Sequence, residues 1–328
     1  MTVERIDRAL PHGITLSCRE CGGRDGSRVV LLHGFPEGAF VWDEVMRRVS
    51  PPLRCIAPNL RGYERSSAPA GVQGYRAKHL VADIAALIEA IGAPVDLLVG
   101  HDWGGALAWD LAAQQPALLR RLLIVNAPHP ATFLRELRDN PAQRSASAYM
   151  DFLCRPDAAA LLEADDFARL WPFFNGMGGA GWLDAAMRQR YREVWRCGLD
   201  GALNYYRASP LRPAQSGSDA IGALELPPHT VTVRVPTTVL WGEGDTALPP
   251  ALLEGLDAWV PSLDLRRVAG ATHWIVHEQP ALIAETVLGL VGRAAGGAAP
   301  HAHRRITIAQ RGPRVQRPRA ARATWARS

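Results

Sequence analysis

Between the apolar run Val95-Asp-Leu-Leu-Val99 and the amphipathic stretch 103–115 stands Gly100-His-Asp102-Trp-Gly104-Gly105. The first segment reads as a buried strand and the second as a helix. Glycines on both sides let a sharp strand-to-helix turn close. The residue at its apex is strained and held outward. A chain organised around such a turn needs a parallel sheet covered by helices. An aspartate opening a helix is also an ordinary N-cap, but the flanking glycines and the residues discussed below favour the elbow.

The remaining pattern alternates in the same sense. Strands are predicted over 13–18, 28–32, 54–58, 95–99, 120–125, 236–241 and 262–268, and helices over 76–91, 103–115, 249–259 and 279–293. The stretch 130–230 breaks this rhythm. It has helical composition (Phe133-Leu-Arg-Glu-Leu, Ala158-Ala-Ala-Leu-Leu), many Trp and Tyr, and no strand pattern. The expected organisation is therefore an α/β core in two parts, 1–129 and 231–293, a helical cap over 130–230, and a disordered Arg-rich tail over 294–328, where apolar periodicity is missing.

Composition limits the partners. With 328 residues and 48 % apolar content, the chain can bury a large core. It has no run of about 18 uncharged apolar residues, and charges in Met1-Thr-Val-Glu-Arg-Ile-Asp7 leave no secretory h-region. The expectation is a soluble, cytoplasmic protein that binds no membrane. The net charge of +5 includes eight arginines and no acid in 294–328, so the folded body carries −3. That balance argues against nucleic acid as a partner. Five scattered cysteines are poor material for a disulfide framework, and Cys18-Arg-Glu-Cys21 lacks the second pair that structural zinc needs. Reduced thiols are expected. Neither a phosphate-binding glycine loop nor a metal-ligand spacing is present, so no cofactor is expected.

Four motifs then fall in order: His33-Gly-Phe-Pro36, Gly100-His-Asp102-Trp103-Gly104, Gly242-Glu-Gly-Asp245 and Gly270-Ala-Thr-His273-Trp274. The chain resembles the epoxide hydrolase branch of the α/β-hydrolase superfamily, whose motifs read H-G-x-P, G-H-D-W-G and G-x-x-D. The resemblance spans roughly residues 1–293. Asn59-Leu-Arg-Gly-Tyr-Glu-Arg-Ser66 is similar to the family's D-x-R-G-x-G-x-S loop, with departures at Asn59 and Glu64. It implies an α/β-hydrolase fold, a mostly parallel sheet flanked by helices, with an inserted helical cap.

An aspartate at the elbow changes the chemistry from that of a serine. A carboxylate with a reference pKa near ~3.9 is ionised at neutral pH and needs no base to attack. Attack on an sp³ carbon gives an alkyl ester of Asp102, which water must cleave, so the general base belongs to the second step. The resemblance implies His273 as that base and Asp245 as the group orienting it, in the chain order this fold uses. His277 competes with His273, Glu243 competes with Asp245, and Asp245 also fits a plain turn. Backbone N–H groups of Phe35 and Trp103 are the candidate oxyanion donors. Pro36 resembles the family's cis-proline, although His33-Gly-Phe-Pro36 also fits a tight turn after a strand.

An epoxide leaves as an alkoxide and needs an acid beside it, a task suited to phenols. Tyr149, seven residues before Pro156, resembles the first cap tyrosine of the family, and Tyr191 resembles the second, with its spacing to Asn204-Tyr-Tyr-Arg207 about two residues short. Tyr205 and Tyr206 are assigned to packing. Pro36, Trp103, Phe152, Trp195 and Trp274 are expected to line the substrate pocket, and Trp171, Phe173, Phe174 and Trp182 to add apolar surface. The implied activity is conversion of a small apolar epoxide and water to a vicinal diol, by a monomer or homodimer. Two alternatives stay open. A haloalkane or haloacid dehalogenase shares the Asp nucleophile but must hold a halide, and Phe35 stands where a second donor is often Asn. The other is an inactive hydrolase-fold binding protein.

Overall fold

Apolar strands that are buried on both faces dictate the architecture. In a computed structural model that describes residues 2–179, 181–213, 220–295 and 304–309, nine strands form one sheet: β1 (Glu4–Ala9), β2 (Thr15–Cys21), β3 (Ser27–Leu32), β4 (Leu53–Pro58), β5 (Leu97–His101), β6 (Leu122–Val125), β7 (Thr237–Gly242), β8 (Leu263–Val268) and β9 (Arg304–Ile308). The spatial order is β1-β2-β4-β3-β5-β6-β7-β8-β9. The first two strands run antiparallel, and β4 through β9 pair in parallel. All residues of the central β5, β6 and β7 are buried, as parallel strands covered on both faces must be.

The core helices are α1 (Asp43–Val49), α2 (Ala77–Ile91) and α3 (Trp103–Gln114). After β6 the chain leaves the sheet and returns only at β7. The helices between are α4 (Pro130–Asp139), α5 (Pro141–Ala146), α6 (Tyr149–Leu153), α7 (Ala158–Phe167), α8 (Trp171–Gly176), α9 (Ala185–Trp195), α10 (Asp200–Ala208), α11 (Ala220–Ala223) and α12 (Pro228–Val231). Side-chain caps start three of them: His129, Asn140 and Asp184 accept from Ala131, Ala142 and Met187 N–H groups. Then α13 (Ile275–Glu278) and α14 (Pro280–Ala295) close the core.

The seven predicted strands are all present, and two more flank them. Polar alternation in Glu4-Arg-Ile-Asp-Arg-Ala9 hid β1, which is almost wholly exposed on an edge. A second correction concerns the tail: Arg304–Ile308 forms β9 beside β8, whereas the rest of the tail beyond α14 lies outside the described residues, apart from Ala309. A third concerns 249–259, which is not a helix but two short 3₁₀ turns, Pro250–Leu253 and Leu256–Ala258. Gly255 between them adopts φ +67, a left-handed break that ends a helix.

Cap and core are joined through buried polar contacts. Asp43 in α1 receives Arg190 from α9 at 2.6 Å and Arg19 from β2 at 2.5 Å. Tyr205 donates to the Arg61 carbonyl at 3.0 Å, Trp195 to the Pro36 carbonyl at 2.6 Å, and Trp274 to the Phe174 carbonyl at 2.9 Å.

Candidate active site

Four polar residues and one backbone turn stand at or just beyond the carboxyl ends of parallel strands, the edge where open α/β sheets bind ligands. Asp102 follows β5, Asn126 follows β6, Asp245 follows β7, His273 follows β8, and the Gly34-Phe35 turn follows β3. Asp102 has φ +48 and ψ −119 and caps α3, a strained backbone for a non-glycine residue. Gly100 makes the turn affordable, because a Cβ there would sit 2.5 Å from the Gly104 carbonyl oxygen. The Asp102 side chain makes no cap hydrogen bond to α3. Its Oδ1 instead accepts from the Phe35 N–H at 2.8 Å. A Cβ on Gly34 would lie 2.4 Å from Asp102 Cβ, so only glycine lets these two loops meet. The Phe35-Pro36 peptide is cis. Trp103 N–H opens α3 beside Asp102, among the first-turn donors that have no partner within a helix.

His273 is buried between two carboxylates. Its Nδ1 lies 2.7 Å from Asp245 Oδ2 and its Nε2 lies 3.8 Å from Asp102 Oδ2. Burial pulls its pKa down, but Asp245 by charge and hydrogen bond, helped by Asp102 and Glu37, more than reverses this and holds it at about 9. Asp245 is itself fixed on every side. Its Oδ1 accepts from the Ala247 and Leu248 N–H groups at 2.9 Å, and its Oδ2 accepts from Asn126 Nδ2 at 2.7 Å. Glu243 points elsewhere, 3.9 Å from Arg267.

Sequence reasoning missed Asn126 and Glu37. Asn126 has φ +40, and its Oδ1 takes the Gly242 N–H at 2.8 Å, so one amide ties the ends of β6 and β7. The signal was a polar residue ending an apolar strand, in Leu122-Leu-Ile-Val-Asn126. Glu37 is fully buried. Its Oε2 accepts from Gly34 N at 3.1 Å and lies 2.9 Å from His101 Nδ1, while His101 Nε2 reaches the His273 carbonyl at 2.9 Å. Burial alone would push the Glu37 carboxyl up, but His101 and His277 hold it well below the usual range. One buried charge thus links the Gly34 turn, the elbow and the His273 loop.

The two cap tyrosines named from sequence part company. Tyr149 lines a cavity of about 300 Å³ together with Asp102 and Trp103. Tyr191 does not reach it: its hydroxyl lies 2.8 Å from His277 Nε2, it is fully buried, and the carboxylate acting on it is Glu37. Its place in the cavity is taken by Tyr206, whose ring lies 6.2 Å from Tyr149 and 5.1 Å from Trp103. Burial first, and then the charge of Asp102, push the Tyr149 phenol up, and burial, followed by Tyr149 and then Asp102, pushes up that of Tyr206, so both stay protonated. On α10 the adjacent Tyr205 also lines the cavity, but its hydroxyl is committed to Arg61.

His277 competes poorly for the base role. Its ring stacks on Trp182 at 3.9 Å, burial lowers its pKa, and its Nε2 faces Tyr191 and Glu37 rather than Asp102. The pocket expectations also need correction. Trp103 lines the Asp102 cavity. Phe152 lines a second cavity on the far side of Tyr149. Pro36, Trp195 and Trp274 line neither, because the indoles are buried in the cap-to-core contacts described above.

The match to the α/β hydrolase fold family spans residues 27–280. The chain belongs to this family. It is 34 % identical over 281 residues to an AB hydrolase superfamily protein, YfhM, of Bacillus subtilis, covering 84 % of this chain and 94 % of that one. Epoxide hydrolase 4 of Mus musculus is 31 % identical over 285 residues, with 84 % and 76 % covered. A solved structure described as a novel epoxide hydrolase from metagenomes of hot environments superposes with TM-score 0.81 at 35 % identity, covering 89 % of this chain and 99 % of that one. The epoxide hydrolase of Bacillus megaterium with an inhibitor gives TM-score 0.79 at 29 % identity, with 88 % and 100 % covered. Within the α/β-hydrolase family the chain groups with epoxide hydrolases.

Proposed function

We propose that the protein hydrolyses epoxides to vicinal diols through an ester of Asp102. The observation that carries this reading is that two phenols, Tyr149 and Tyr206, share one cavity with the carboxylate at the elbow. The carboxylate attacks an epoxide carbon, the carbon–oxygen bond breaks, and the departing oxygen takes a proton at the paired hydroxyls; the phenols then regain theirs from solvent. Esterification removes the charge of Asp102, one of the groups raising the His273 pKa. His273 then loses its proton and becomes the base.

In the second step His273 Nε2 takes a proton from water, and the hydroxide attacks the ester carbon. The oxyanion forms on the oxygen already held by Phe35 N–H, with Trp103 N–H as second donor. Collapse releases the diol, whose alkoxide recovers the proton from His273, and the carboxylic acid left on Asp102 then passes its proton to His273, which restores the ionised nucleophile and the protonated imidazole. Asn126 and Asp245 act through His273 as positioning residues. The required partners are an epoxide and water, and unpaired cysteines, three of them buried, fit a cytoplasmic location.

A dehalogenase reading is disfavoured, since the indole of Trp103, the donor a halide needs, interacts instead with the Tyr206 hydroxyl. Purified protein assayed against styrene-type, aliphatic and fatty-acid epoxides, with halide release from chloroalkanes followed in parallel, tests the choice. Diol formation without halide release is expected; halide release without diol would overturn it.

A further inference from the structure

The Asp102 cavity follows one face of α3. Trp103, Ala106, Leu107, Asp110 and Gln114 all line it, at the spacing that stacks side chains along a helix. Gln114 is exposed and Asp110 half-buried, so the cavity runs from the elbow toward solvent along the helix. Its wall between is mainly apolar, with Leu80, Phe133, Leu211 and Val231 among the contributors. Asp110 breaks that surface with a carboxylate. Among the described residues it has no hydrogen bond or ion pair, and burial without a compensating partner pushes its pKa up to about 6. An unpaired carboxylate facing a ligand cavity is a recognition group waiting for a donor.

We infer that Asp110 selects epoxides whose far end carries a protonated amine, with an apolar spacer lying along α3 between that amine and the oxirane. This deepens the epoxide hydrolase reading and rests on it. Eight residues of helix separate Asp102 from Asp110, or about 12 Å at 1.5 Å per residue. A spacer of about eight carbons spans that length. A cation there regains for Asp110 the charge partner it lacks, and an acidic tail is repelled.

The test is a series of terminal epoxides of equal length ending in ammonium, hydroxyl, methyl or carboxylate, with kcat/KM measured for each. The wild type is expected to favour ammonium over methyl by at least about tenfold, the worth of one partly screened pair, and to disfavour carboxylate. In Asp110→Asn the ammonium-to-methyl ratio collapses toward one, and Asp110→Glu, which keeps the charge, retains most of it. Equal kcat/KM for ammonium and methyl tails in the wild type, or a ratio unchanged in Asp110→Asn, would overturn the inference while leaving epoxide hydrolysis intact. Failure to turn over any member of the series would defeat both.

Discussion

His273 Nε2 lies 3.8 Å from Asp102 Oδ2: the proposed base faces the proposed nucleophile without hydrogen-bonding to it. A serine nucleophile would need that bond to lose its proton. A carboxylate does not, and this division of labour makes the two steps separable.

In His273→Gln, Asp102 still attacks and the ester no longer turns over. Intact-protein mass spectrometry after epoxide addition should show an adduct of substrate mass, with hydrolysis slowed about 10²–10⁴-fold. Unmodified protein, with Tyr149 and Tyr206 in place, would argue against a covalent first step.

The charge of Asp102 helps hold His273 at about 9. Asp102→Asn imitates the neutral ester, so burial is less opposed and the His273 pKa must fall. Imidazole NMR titration of both proteins measures this, and an equal or higher value in the variant would contradict the proposed unmasking of the base. Because the folded value is raised, protonated His273 adds stability in full below about pH 6.5. That contribution is lost as pH rises through about 9.

Tyr149→Phe and Tyr206→Phe are each expected to slow alkylation about 10- to 1000-fold, less than the roughly 10²–10⁴ of a wholly lost general acid because the other phenol remains. Tyr191→Phe removes a buried bond to His277 and should act on stability, by about 1–3 kcal/mol. Stopped-flow alkylation rates beside thermal melts separate the two outcomes. A Tyr191→Phe protein that alkylates as slowly as the other two would return Tyr191 to the chemistry.

Gly34→Ala brings a Cβ to within 2.4 Å of Asp102 Cβ. The Phe35 N–H must then swing off Asp102, and loss of one oxyanion donor costs about 10²–10³ in rate. Steady-state kinetics on folded variant protein checks this; near wild-type turnover would mean that Phe35 N–H does not serve the oxyanion.

Asp102, His273 and Asp245, the proposed nucleophile, base and orienting acid, were legible because each sits in a short contiguous motif whose glycines meet a close backbone approach or a positive φ. The central strands β5, β6 and β7 were legible because parallel strands buried on both faces are continuously apolar. Tyr206 was not: a cap helix presents Tyr205 and Tyr206 about 100° apart, and only the fold tells which hydroxyl reaches Arg61 and which reaches the cavity. Tyr191, in turn, looks no different in sequence from a catalytic phenol until His277, 86 residues away, is seen to hold it. Glu37 escaped notice since its importance lies in three partners brought together from separate loops. The β9 strand was hidden by arginine-rich surroundings, although Ile306-Thr-Ile308 carries a brief β pattern.

The central claim is that Asp102, not water, attacks the epoxide. A single turnover in ¹⁸O-labelled water, with enzyme in excess, tests it most directly. The first-turnover diol should carry unlabelled oxygen from the Asp102 carboxylate, and peptide mapping should find the label in Asp102. A first-turnover diol carrying one labelled oxygen from solvent, with Asp102 unlabelled, would contradict the account.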